Sequence, residues 1–254
     1  MKEPVAMAYV NLYGVLGCIP QLCRLDEDCK HILSGLKRPV ALCFEVKGGP
    51  CRTFRFSREG CTITEGDGGC NAKMRFSSPE KFNAFIDGGA PGMPANHPVR
   101  TLVFLLKVFA KLADRLTYYL RPTPELLADR AFFEKNTILT LYTVAGAISA
   151  LANTDSISRI SAGNTPDGEI SVGIRDAVSV TISVKDHIFT TVDRVCEHPR
   201  AVMEFADLDL ANGLFRGEVS TINELCKGRI RLAGMISMID NVNRILDRVS
   251  VYLA

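Results

Sequence analysis

Leu12-Tyr13-Gly14-Val15-Leu16-Gly17-Cys18-Ile19-Pro20-Gln21-Leu22 returns 129 positions later as Leu141-Tyr142-Thr143-Val144-Ala145-Gly146-Ala147-Ile148-Ser149-Ala150-Leu151, with six of the eleven residues identical. The same offset pairs Met74, Phe76, Asn83 and Gly88 with Met203, Phe205, Asn212 and Gly217. Near the end of each unit, Asp114-Arg115-Leu116-Thr117-Tyr118-Tyr119-Leu120 is answered by Asp247-Arg248-Val249-Ser250-Val251-Tyr252-Leu253, now at an offset of 133. The second copy has therefore gained four residues between Gly217 and its last helix. Matches at the start, middle and end make the repeat a whole domain and not a solenoid unit of roughly 20–50 residues. A chain of 254 residues fits two such domains, each long enough to bury its own core. Features shared by the copies read as requirements of the fold. Features of one copy only are where specialisation can sit.

Composition agrees with two ordinary globular domains. Apolar residues make up 47% of the chain, charged ones 23%, and the formal net charge is +2. Lys and Arg are scattered, so no basic stripe marks a nucleic-acid partner. The nine cysteines are odd in number, and no repeated position pairs Cys with Cys. Free thiols and a cytoplasmic location are the expectation.

Residues Val5 to Cys23 are almost uncharged, and Val15-Leu16-Gly17-Cys18 resembles a lipoprotein cleavage site. The internal repeat favours a core helix instead, because Thr140 to Ala152 carries the same pattern in mid-chain, where no export signal acts. Asn11, Gly14, Gly17 and Pro20 interrupt the stretch, so no stable membrane insertion is expected.

Each copy reads in one order. An apolar helix opens it, Val5–Cys23 or Ile138–Asn153. Alternating segments predict strands over 40–46, 53–56 and 61–64 in the first copy, and over 169–175, 179–184 and 188–192 in the second. Turn signals such as Lys47-Gly48-Gly49-Pro50 and Lys185-Asp186-His187 separate them, which predicts an antiparallel meander. Ser77-Ser78-Pro79-Glu80 predicts a capped helix start, with Asp207 as the cap in the second copy. Gly88 and Gly217 sit where a helix end wants positive φ. A long helix closes each copy, over 98–120 or 235–253. The expected class is α+β: two tandem copies of a mostly antiparallel sheet covered by helices, related by a pseudo-two-fold axis. The expected domains are 1–121 and 137–254, joined by a helical linker at 122–136.

On the second closing helix Met235, Met238, Ile239, Val242, Ile245, Leu246, Val249 and Leu253 form one apolar face, opposite Asp240, Arg244, Asp247 and Arg248. In the first copy Val103, Phe104 and Val108 extend the stripe around the helix. That segment needs a second cover: the other copy, another subunit or a ligand.

The end of the second copy resembles a known family. Gly217, then Lys227-Gly228-Arg229-Ile230-Arg231-Leu232-Ala233-Gly234-Met235 and an amphipathic helix are similar to the end of a sterol carrier protein type two domain. Gly228, Ile230, Leu232 and Gly234 fill that family's Gly-x-hydrophobic-x-hydrophobic-x-Gly strand. The resemblance covers about residues 140–254. It implies a five-stranded sheet with helices on one side and an apolar cavity for sterols, fatty acids or acyl chains. The first copy departs from it: after Gly88 it reads Gly89-Ala90-Pro91-Gly92-Met93-Pro94-Ala95-Asn96-His97-Pro98. The expectation there is a missing last strand, or a mobile lid near a cavity mouth.

Catalytic patterns are sparse. None of His31, His97, His187 and His198 sits at a repeated position, and Cys196-x-His198 lacks the second half of a metal site. No G-x-S-x-G or H-E-x-x-H occurs, and Gly66-Asp67-Gly68-Gly69 reads as a turn. The repeated Asp114-Arg115 and Asp247-Arg248 read as a surface or helix–helix salt bridge. No catalytic residue, metal or cofactor is expected. The remaining reading is a non-enzymatic carrier of a lipid-like small molecule, with contacts from Met203, Phe205, Phe215, Met235, Met238, Ile239 and Val242. Phe76, Phe82, Phe85, Phe104 and Phe109 form the corresponding set in the first copy. A scaffold with filled interiors, and an enzyme using a lone cysteine or histidine, stay open as alternatives. So does a protein partner or a second copy of the chain.

Overall fold

The computed structural model describes residues 2–253. It divides into two compact units, the first ending at Pro124 and the second beginning at Glu125.

The first unit opens with the helical run Pro4–Leu25. Pro20 has no N–H for the Leu16 carbonyl. Ahead of it the backbone widens into a π turn at Val10–Val15 and tightens to a 3-10 turn at Leu16–Cys18. Extended backbone at Asp26 (φ −106°, ψ 119°) breaks the run and starts a second helix, Glu27–Ser34, which the sequence reading leaves out. The strands are β1 (Val40–Val46), β2 (Cys51–Ser57), β3 (Gly60–Glu65), β4 (Ala72–Phe76) and β5 (Met93–Asn96). Their order is β3-β2-β1-β4-β5.

One expectation needs correction here, and one strand is new. The three expected segments form the antiparallel meander β1 to β3, and β4, which the sequence reading leaves out, crosses over to lie parallel to β1, with Phe44 opposite Met74. The segment Gly88–Pro98, expected to lack a strand, contains one. Its residues Met93–Asn96 pair antiparallel with β4, through a register shift between Lys73 and Met74. Proline is tolerated because β5 is an edge strand, where one row of N–H groups has no ladder partner to satisfy.

Between these two strands, Ser78 caps the helix Pro79–Ile86, its hydroxyl accepting from the Lys81 N–H at 3.4 Å. Gly88 follows with φ +90°. The closing helix covers residues 98–120 and contains a π turn at Leu105–Phe109.

The second unit repeats this order. Its opening helix, Arg130–Thr154, is capped by Asp129 and takes up residues 130–136 that the sequence assigns to a linker. A short helix, Ser158–Gly163, follows extended Asp155. The strands are β6 (Gly168–Ile174), β7 (Val178–Lys185), β8 (Ile188–Val192), β9 (Ala201–Phe205) and β10 (Ile230–Gly234), in the order β10-β9-β6-β7-β8. Again the central pair, β6 and β9, is parallel. Asp207 caps Leu208–Phe215, with the Leu210 N–H at 2.8 Å. The helix Thr221–Cys226 lies in the stretch where this copy is longer. The last strand then forms as its glycines suggest: Gly234 has φ +90°, and a Cβ there would lie 2.1 Å from the Arg200 carbonyl oxygen. The closing helix is Ile236–Leu253.

Both opening helices are long and apolar enough to cross a membrane, yet most of each is buried inside the fold. The second packs on β7 and β8, and the closing helix of that unit packs on β9. The apolar character of these helices is thus used in covering a sheet.

Candidate functional site

In the second domain Ile170, Val172 and Ile174 of β6, Val180, Ile182 and Val184 of β7, and Ala201, Met203 and Phe205 of β9 are all buried. Strand periodicity and the register, Ile170 opposite Ile182 and Val172 opposite Met203, place them on one face. Met238, Ile239, Val242, Ile245 and Val249 of the closing helix are buried as well, at a spacing that gives one helix face. Five of the seven residues singled out from the sequence therefore lie in this apolar layer: Met203, Phe205, Met238, Ile239 and Val242. Phe215 and Met235 are half-buried at its margin. The Phe215 ring meets Phe205 edge-on with centroids 6.0 Å apart, and the Met235 N–H donates to the Arg200 carbonyl at 2.8 Å.

The register also shows what occupies the same places in the first domain. Phe44 faces Met74 as Val172 faces Met203. Phe54 faces Leu42 as Ile182 faces Ile170, and Phe56 faces Val40 as Val184 faces Gly168. On the helices Pro79–Ile86 and Leu208–Phe215, Phe82 and Phe85 stand where the second domain has Ala211 and Leu214. Five phenyl rings of the first domain thus correspond to two valines, an isoleucine, an alanine and a leucine. In the first domain the rings fill the interior: the Phe44 centroid lies 5.8 Å from Phe54, 6.2 Å from Phe82 and 5.3 Å from Phe109, and that of Phe76 lies 5.1 Å from Phe82. The sequence contains both sets, but only strand register shows that they are the same positions.

The polar groups near this layer are satisfied internally. Asn212 Nδ2 donates to Asn136 Oδ1 at 2.8 Å and to Thr137 Oγ1 at 2.9 Å. Ser149 and Thr191 share a 2.7 Å hydrogen bond. Among the described residues no buried side-chain nitrogen or oxygen lacks a partner. An open recess of about 300 Å³ lies on the opposite face of the same sheet, lined by Ser171, Gly173, Arg175, Ser179 and Glu204 among others. There Arg175 and Glu204 pair with each other at 2.9 Å.

Each domain also holds a carboxylate–guanidinium–phenol node. Arg248 donates to Asp155 Oδ1 at 3.0 Å, and the Tyr252 hydroxyl donates to the same oxygen at 2.8 Å. Ser158 donates to Asp155 Oδ2 through both its N–H and its hydroxyl. In the first domain Arg115 grips Asp26 with two bonds of 2.8 and 2.9 Å, and the Tyr119 hydroxyl donates to Asp26 at 3.1 Å. Burial pushes each carboxyl toward its neutral form, but hydrogen bonds, led by those from the arginine, outweigh it and hold both below the usual carboxylate range. Burial beside Asp26 pushes the Tyr119 hydroxyl up to about 12. The helix–helix alternative read from Asp114-Arg115 and Asp247-Arg248 is therefore the right one for the arginines, while Asp114 and Asp247 are exposed. Asp26, Asp155, Tyr119 and Tyr252 escape a sequence reading, although Asp26 and Asp155 stand at the repeat offset of 129.

Reactive groups are dispersed. Cys196 is buried beside Glu169, which its thiol bonds, while His198 is exposed. His187 Nδ1 lies 3.2 Å from the Thr165 carbonyl oxygen. Among the described residues no three His, Cys, Asp or Glu side chains are grouped to hold a metal ion.

No protein-family model matches the chain, and no curated protein does. Solved structures similar to part of the chain include several with sterol carrier protein or SCP2 in their names. One is sterol carrier protein 2, 18% identical, with a TM-score of 0.33, covering 43% of this chain and 92% of that one. Another is the UbiJ-SCP2 ubiquinone synthesis protein, 12% identical, TM-score 0.32, covering 42% and 94%. A third is the sterol carrier protein domain 2 of Helicoverpa armigera, 8% identical, TM-score 0.34, covering 44% and 88%.

Proposed function

We propose that the second domain binds an apolar or amphipathic small molecule without chemical reaction, between its sheet and the helix Ile236–Leu253. A sterol, a fatty acid or an acyl chain has the right chemistry. The observation that carries this reading is the replacement of five interior rings by smaller side chains at register-matched positions, Val172, Ile182, Val184, Ala211 and Leu214. At these five positions the second domain has the smaller side chains, and only at the edge of the sheet does the exchange reverse, Phe189 standing opposite Val184 where Cys61 stands opposite Phe56. A layer of smaller side chains can open around a chain-like guest. Met203 and Met238 support it further, since an unbranched thioether adapts to irregular shapes. The resemblance of Gly228–Gly234 to the sterol carrier pattern points to the same ligand class.

The ring-filled interior of the first domain favours a second role for that half, as a scaffold whose core is complete without a ligand.

The test restores the missing rings. Val172→Phe and Ala211→Phe are compared with wild type for uptake of a fluorescent fatty acid and for stability in urea. In a layer that opens for ligand, the rings occupy ligand space: uptake falls at least tenfold and stability is kept. In a core already full, an inserted ring costs about 1–3 kcal/mol. Loss of stability without prior uptake by wild type would overturn the reading. Native mass spectrometry adds the direct check, a retained lipid of defined mass.

A further inference from the structure

The closing helix of the first domain is buried on one side only. Thr101, Phe104, Leu105, Phe109 and Leu112 face the fold, but Val99, Leu102, Val103 and Leu106 are exposed, with Leu106 at 74%. Their spacing (i, i+3, i+4, i+7) makes one continuous stripe on the outer face. Met93, on the edge strand β5 just before this helix, is 77% exposed. Among the described residues of the first domain, none covers this stripe.

The charge around the stripe identifies what fits it. Arg100, Lys107 and Lys111 are exposed on the same helix, seven and four residues apart. From Gly88 to Ala113 there is no Asp or Glu, whereas the matching part of the second copy contains Glu218, Glu224 and Asp240. An apolar helix face bordered over residues 98–111 by cations alone, with Asp114 one turn further on, suits the plane of an anionic bilayer. Its side chains enter the headgroup boundary while the lysines and the arginine meet lipid phosphates. A protein partner with such a face would more usually find both charge signs at the rim.

We propose that residues 98–111 form a peripheral docking helix for anionic lipid surfaces, with Val99, Leu102, Val103 and Leu106 as the inserted residues and Arg100, Lys107 and Lys111 as the headgroup contacts. The helix lies in the interface and does not span it. The proposal is independent of the ligand reading for the second domain, since its residues are all in the first.

The full chain is tested by co-sedimentation with vesicles of phosphatidylcholine alone and of equal parts phosphatidylcholine and phosphatidylglycerol. Binding to the anionic vesicles, and its loss at high salt, are the expected results. Lys107→Glu with Lys111→Glu should weaken it about tenfold or more, and Val99→Glu with Leu106→Glu should abolish it. All four positions are exposed, so the fold survives, which circular dichroism verifies. Equal binding to both vesicle types, no binding to either, or binding indifferent to these variants would overturn the proposal. So would a dimer in light scattering that Val99→Glu with Leu106→Glu turns into a monomer, because a second copy would then be the cover.

Discussion

Arg248 stands to Asp155 as Arg115 stands to Asp26: in each domain a guanidinium from the closing helix clamps the carboxylate that ends the opening helix, at 3.0 and 2.8 Å. The carboxylates are almost wholly excluded from solvent, with side-chain exposures of 0% and 4%. Such an ion pair costs desolvation energy, and its worth depends on every lone pair being used. The tyrosine one turn beyond each arginine, and Ser158 in the second domain, complete that set. The pair therefore sets where the two long helices meet at the end of each sheet.

Removing one partner should be far worse than removing both. Asp155→Ala leaves Arg248 without its counter-charge and should destabilise the second domain by about 3–5 kcal/mol in urea unfolding. The double variant Asp155→Leu with Arg248→Met should recover most of that loss. If the double variant is no better than the single one, the pair contributes more than mutual neutralisation.

Acid should loosen both domains through the same nodes. A carboxyl whose folded-state pKa is depressed adds stability above its unfolded value, near pH ~4, and loses it as pH falls through the folded value. Asp26 and Asp155 are both of this kind. Melting temperature should therefore be flat at mildly acidic pH and drop below about pH 4. Asp155→Asn, less stable at neutral pH, should show a shallower drop. An unchanged acid slope in that variant would place the sensitivity in other carboxylates.

The glycines of the second copy should differ in their tolerance of a side chain. Gly234→Ala meets both a positive φ of +90° and the Arg200 backbone, so a loss above about 2 kcal/mol is expected. Gly217→Ala has a φ of +70° but open space around its Cβ, and should cost about 1 kcal/mol. Equal losses would mean that backbone conformation alone matters at both sites.

Filling the second domain gives a prediction of opposite sign to ordinary core mutagenesis. Ala211→Phe should lower fatty-acid uptake while raising or preserving the melting temperature. The comparison in the first domain is Phe82→Ala, which removes a fully buried ring from a packed cluster. It should cost about 3–5 kcal/mol. Similar stability changes for the two would show that both interiors are equally full.

The duplication, the helix caps at Ser78 and Asp207, the strands β1 to β3 and β6 to β8, and the closing helices were legible in the chain because they rest on local signals. Periodicity, capping chemistry and turn residues act over a few residues and need no partner. The last strand of the second copy was legible for a related reason, since Gly228 and Gly234 mark backbone that only glycine adopts easily. The parallel placement of β4 beside β1 and of β9 beside β6 was decided by tertiary structure, because five-residue strands carry no mark of their neighbour. So was β5, whose prolines read as a loop until the edge of a sheet gave them a place. The ion-pair nodes needed the fold as well: Asp26 and Arg115 are 89 residues apart, and no local pattern links them. The contrast between Phe44 and Val172 belongs to the same class. Each residue is an ordinary apolar strand position in the sequence, and only register, a long-range property of the sheet, makes them the same place in two domains and sets a ring in one against a smaller side chain in the other.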